Sequence, residues 1–142
     1  MYDELIEFLL EGPYRIADIL PERVPEDAKG QYPAVDRYFR SPRRLGALYR
    51  KYAELLLKLN CYSSMLASFD YGGTFEKDPD PEAFAAWAEG LDAGTLRILF
   101  PDEKVMIDLD AGDTWMTVYG DDPVLIPRFC RLVGADGLFV WS

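Results

Sequence analysis

The sequence predicts an α+β fold: a helical N-terminal half packed on an antiparallel or mixed sheet of about five strands built around a 95–119 β-meander. Three observations carry this. Apolar residues recur with helical spacing as far as about residue 60. The period then shortens towards the alternation of strands. Two tight polar turns separate three strand-like runs between 95 and 119.

Tyr2, Leu5, Ile6, Leu9 and Leu10 share one helical face, Asp3, Glu4, Glu7 and Glu11 take the other, and Gly12-Pro13 stops the helix. Ile16, Ile19 and Leu20 repeat the spacing and predict a second helix ended by Pro21. Pro21, Pro25 and Gly30 mark 21–32 as a loop. Tyr32, Val35, Tyr38 and Phe39 predict a short helix. Ser41 as N-cap and Pro42 at the first helical position then open the longest one, about 42–60. Its core stripe is Leu45, Leu48, Tyr52, Leu55, Leu56 and Leu59; Arg43, Arg50, Lys51, Glu54 and Lys58 form its wet face.

Ser63 to Phe69 reads as a strand, followed by an acidic, aromatic loop from Asp70 to Pro79. Asp80-Pro81-Glu82 caps a helix in which Phe84, Trp87, Ala88 and Leu91 share a face. Strands at about 95–100, 104–109 and 114–119 are joined by Pro101-Asp102-Glu103 and Asp110-Ala111-Gly112-Asp113, residues typical of hairpin turns. Pairing Phe100 with Val105 puts Leu96, Ile98, Phe100, Val105, Ile107 and Leu109 on one face, the predicted core. Asp122-Pro123 caps a last helix that Gly134 ends, and Gly137 to Trp141 forms a terminal strand. Tight hairpins place the helices on one side of the sheet. No linker divides the chain, so residues 1–142 are read as a single α+β domain.

With 49% hydrophobic and 14% aromatic residues, the chain can build a core and is unlike a disordered acidic tail. Met1-Tyr2-Asp3-Glu4 has neither the basic nor the apolar region of a secretory leader. No apolar run approaches the ~18 residues of a membrane span. Cys61 and Cys130 lack C-x-x-C spacing and read as two buried thiols in a reducing cytosol, which makes the expected location cytoplasmic.

Charge is segregated along the chain. Residues 1–35 carry 8 acids and 3 bases, 36–60 carry 2 acids and 7 bases, and 61–142 carry 15 acids and 5 bases, for a net charge of −10. That balance argues against nucleic acid and anionic membranes as partners. The basic helix is read as a solvated face that neutralises acids of its own fold.

There is no histidine, which removes Ser-His-Asp and Cys-His catalysis and histidine zinc sites. Phosphate-binding and dinucleotide-binding glycine motifs are absent, and no cofactor is expected. The run Asp108-Leu109-Asp110-Ala111-Gly112-Asp113 is the most metal-like, because Asp108 and Asp110 would face the same side of a strand about 6.6 Å apart with Asp113 in the turn. The competing reading is a plain hairpin turn with its aspartates on the solvent side.

The acids from Asp70 to Asp122 form the strongest functional signal. In the hairpin scheme Asp102, Glu103, Asp121 and Asp122 gather at one sheet end, and a nearby 70–80 loop adds Asp70, Glu76 and Asp78 with Tyr71 and Phe75 as aromatic anchors. Aromatics within a charged rim suit a protein-binding surface. The expected function is therefore a non-enzymatic protein-binding domain that masks or inhibits a basic partner, in the manner of an inhibitor or immunity protein. Its alternatives are a carboxylate-dependent enzyme, and a self-associating structural or regulatory domain.

Overall fold

The central hairpin sets the register for the rest of the molecule. In the computed structural model, which describes residues 2–70 and 72–142, strands β4 (Thr95–Phe100) and β5 (Val105–Asp110) pair antiparallel with Phe100 opposite Val105 and Ile98 opposite Ile107, as the pattern predicts. The turn closes on Lys104, whose φ of 56° lies in the left-handed region. Strand β6 (Met116–Tyr119) pairs with β5, and the terminal strand β7 is Phe139–Trp141.

The helices follow the sequence signals closely. They are α1 (Asp3–Leu10), α2 (Tyr32–Phe39), α3 (Pro42–Asn60), α4 (Pro81–Glu89) and α5 (Leu125–Ala135). Asp80 caps α4 by accepting the Ala83 N–H at 3.0 Å. Asp122 accepts the Val124 and Leu125 N–H groups at the start of α5.

Three expectations are corrected among the described residues. The sheet has seven strands rather than five, all antiparallel, in the order β3-β2-β4-β5-β6-β1-β7. The predicted helix around Ile16–Leu20 is strand β1 (Tyr14–Asp18), held between β6 and β7. The apolar spacing is helical, but only Ile16 of that set lies in the strand, and pairing on both sides decides for it. The predicted 63–69 strand is limited to β2 (Leu66–Ser68), with β3 (Glu76–Lys77) added at its edge.

Helices also lie on both faces of the sheet. The inner face carries the predicted set Leu96, Ile98, Phe100, Val105, Ile107 and Leu109, all at most 1% exposed, packed against α3, α4 and α5. On the outer face Ile6 and Leu9 of α1 cover Leu66, Leu99 and Met106, with Tyr2, Phe75 and Tyr119 around them. β4 is therefore buried along its whole length, and Asp108 does not reach the solvent assigned to it.

Tyr49, absent from the predicted stripe of α3, is fully buried. Its hydroxyl donates to the Asp113 carbonyl at 2.7 Å and accepts the Gly112 N–H at 2.8 Å. One turn on, Tyr52 donates to the Thr114 carbonyl at 2.6 Å. Trp87 departs in the other direction and is 46% exposed, because Phe84, Ala85 and Ala88 fill the buried face of α4. Cys61 caps α3 and is exposed rather than buried, whereas Cys130 is half-buried.

Ile98→Ala should destabilise the protein by about 2–5 kcal/mol through lost burial and the cavity left behind. Phe8→Ala, at a side chain 68% exposed, should stay within about 0.5 kcal/mol. Urea unfolding followed by circular dichroism checks both, and equal losses would overturn the assignment of the core.

Candidate functional site

The segment after β2 is built by short polar contacts. The Ser68 hydroxyl donates to Asp70 Oδ1 at 2.6 Å and accepts the Gly72 N–H at 2.8 Å, and the Thr74 N–H donates to Asp70 Oδ1 at 2.8 Å. The Ser68 hydroxyl, then the Thr74 groups, hold the Asp70 carboxyl down to about 2. Asp70 is thus fully ionised at neutral pH. Gly72 adopts φ +88°, a conformation that favours glycine, and a Cβ there would sit 3.7 Å from Arg97 and Phe75. Phe75 of this loop packs on the outer face of the sheet.

Between that loop and the end of α4 runs an open groove of about 510 Å³. Phe69, Trp87 and Leu91 give it an apolar wall; Asp70, Glu76 and Asp92 give it charge, and no lysine or arginine lines it. The Phe69 and Trp87 rings meet edge to face, 5.0 Å between centroids at 77°. Large exposed aromatics beside carboxylates can hold a lysine or arginine side chain by cation–π contact and ion pairing together.

A second acidic region lies at the sheet end where β4 turns into β5. Gly120 makes it: at φ +113° its missing Cβ would stand 2.6 Å from the Lys104 carbonyl oxygen, so only glycine lets the two turns touch. A shallow groove of about 290 Å³ there brings Glu103, Asp121 and Asp122 together beside the exposed Phe8.

The predicted acids therefore divide between two places. Asp70 and Glu76 line the α4 groove, while Asp102, Glu103, Asp121 and Asp122 belong to the sheet end. Several are occupied by the fold. Asp78 accepts from Asn60, the Ser64 hydroxyl and the Met65 N–H, which lowers its pKa, the Met65 contact most. Glu103 accepts the Ser63 hydroxyl at 2.9 Å, Asp121 pairs with Arg15 at 2.8 Å, and Asp122 starts α5. Asp102 is exposed. Phe75 packs edge-on against Tyr2 and is half-buried, and Tyr71 lies outside the described residues.

Among the described residues, Asp108, Asp110 and Asp113 do not form a metal-binding group. Arg97 holds Asp108 by two hydrogen bonds of 2.8 Å in the interior, and Asp110 accepts the Thr95 hydroxyl. Burial, and then the nearby Asp110, push the Asp113 carboxyl up. The basic helix is partly neutralised within the fold: Arg50 reaches Glu89 at 2.9 Å, and Arg44 stacks 3.6 Å over the Tyr38 ring.

Sequence reasoning missed Trp87 and Asp92. A clue was present, since Phe84, Ala85 and Ala88 already complete the buried face of a nine-residue helix and leave Trp87 over. Comparison with family models, with curated proteins and with solved structures finds no match.

Because Arg97 holds Asp108 in the interior and Asp110 accepts from Thr95, chelator treatment should leave the thermal midpoint unchanged; a fall reversed by calcium or magnesium would restore the metal reading. Asp108→Asn takes the carboxylate charge away from the buried Arg97 guanidinium and should cost about 3–5 kcal/mol. An apolar pair at both positions should cost less than that single change, as denaturant titration of both variants would reveal.

Proposed function

We propose that this chain is a non-enzymatic protein-binding domain whose acidic face masks or inhibits a basic partner protein. The observation that carries the reading is the α4 groove, where a half-exposed Trp87 stands in a wall of apolar side chains edged by Asp70, Glu76 and Asp92 with no base among them. A desolvated aromatic anchor within a charged rim is the usual arrangement of an interface hot spot. The ligand it suits is a lysine or arginine side chain presented by the partner. The sheet-end acids extend the same negative field and serve encounter rather than anchoring.

Acid–base chemistry draws less support from the same features. The groove is open to solvent, and Asp70 is fixed in its ionised form across the physiological range. The carboxylates whose pKa values are raised, Asp18 and Asp113, do not line it. A reducing cytosol suits the two free thiols, and no described helix is long and apolar enough to cross a membrane.

Binding kinetics across a salt series, against the basic protein that co-purifies and an arginine-rich peptide, test this reading. Glu76→Lys/Asp92→Lys should slow association and flatten its salt dependence, since exposed charges steer encounter over the ~8 Å Debye length of physiological salt. Trp87→Ala should act mainly on dissociation and cost about 2 kcal/mol or more. Asp102→Lys should alter association alone. If reversing the groove charges moves neither the association rate nor the salt slope, the acidic face is not the binding surface.

A further inference from the structure

The two edges of the sheet are protected very differently. β3, at one end of the strand order, has two residues, both charged and exposed (Glu76 and Lys77). Such an edge resists pairing. β7, at the other end, is Phe139-Val140-Trp141, with no charge and no proline, and among the described residues it pairs only with β1. Phe139 is 43% exposed, and at the other end of β1 on the same outer face Tyr14 is 56% exposed, because α1 covers only the β2-β4-β5 part of that face.

We propose that β7 is a docking edge for a second copy of this chain, joined across a two-fold axis by antiparallel β7–β7 pairing. The strand is self-complementary. The antiparallel register that pairs all three residues sets Val140 opposite the partner's Val140 and Phe139 opposite the partner's Trp141. Phe139 and Trp141 lie on the same face as Asp18 and Ile16, so each pairing is an aromatic cross-strand contact on the outer side. Val140 points to the inner side, where a groove of about 390 Å³ follows β7 and is lined by Arg15, Cys130, Gly134 and Leu138, with no aspartate or glutamate. The partner's Val140 enters that groove.

The β1–β7 ladder carries one acid, Asp18 opposite Phe139, and one base, Arg15, and no aspartate or glutamate lines the groove, so two chains of net charge −10 meet little local repulsion there. The α4 groove sits beside β2 and β3, up to six strand spacings of about 4.8 Å from β7, or roughly 29 Å, several Debye lengths away at physiological salt. A three-residue edge buries little, so the pair is a reversible one, dependent on protein concentration.

Sedimentation velocity of the full chain over about two decades of concentration tests this. The mass should rise from one chain to two and stop there, and added salt should not weaken the pair. Phe139→Lys should raise the dissociation constant about tenfold or more, with the circular dichroism spectrum and thermal midpoint of the dilute protein unchanged. Phe8→Lys, on the exposed side of α1, should pair like the wild type. The proposal is overturned by a wild type that stays monomeric, by growth beyond two, or by pairing that salt dissolves, as a contact between the basic helix and the acidic face would require. It is equally overturned if Phe8→Lys dissociates the pair while Phe139→Lys leaves it intact.

Discussion

Two tyrosine hydroxyls on α3 tie the helical layer to the sheet. Tyr49 and Tyr52 cross the core to reach the backbone of residues 112–114, and both rings are fully buried on the way. Burial pushes the Tyr49 hydroxyl up to about 12 and raises that of Tyr52 further, so both remain proton donors at any physiological pH. Arg40, just past α2, adds a bond to the Gly112 carbonyl and stacks towards Trp115. The β5–β6 turn thus has its backbone groups satisfied by side chains from the helices, which fixes where β6 leaves and where β1 must be received. An apolar contact could supply the same burial but not the same register, because it has no direction.

The charge pattern changes meaning once it is folded. Along the chain the acids look like one broad negative tract. In three dimensions some become internal fasteners: Asp108 grips Arg97, Asp78 gathers the 60–65 segment, and Asp122 opens α5. Among those remaining at the surface, two groups line grooves, one with Trp87 and one with Phe8. A carboxylate that already accepts backbone N–H groups has less capacity for a partner than one facing water. Counting acids therefore overstates the binding surface, and sorting them by hydrogen-bond partner reduces it to a few residues.

Local signals in the sequence were reliable where the local chain decides the structure. Ser41 and Pro42 mark the start of α3, and the alternation of β4 and β5 fixes their register to the residue. What escaped depends on distant partners. Ile16 and Ile19 have helical spacing, and only the presence of β6 and β7 on either side makes that segment a strand. Glu76-Lys77 has no strand-like pattern and pairs because β2 lies beside it. Tyr49 carries a polar atom whose acceptors are more than 60 residues away, so nothing nearby in the sequence marks it as core. The candidate site was half legible: Asp70 and Glu76 stood out by charge, but Trp87 looked like core because aromatic residues on helices usually are.

The position of β1 has a consequence for how the molecule forms. It is the first strand in the chain, yet it lies between the last two, and its Arg15 bonds a carbonyl 105 residues further on. During synthesis β1 must wait, unpaired, until almost the whole chain has emerged. The β4–β5 hairpin and α3 can meet long before that, so early folding belongs to the middle of the chain and closure of the sheet to its ends. Ordering so long a loop costs entropy before any contact rewards it, which favours a late and slow final step.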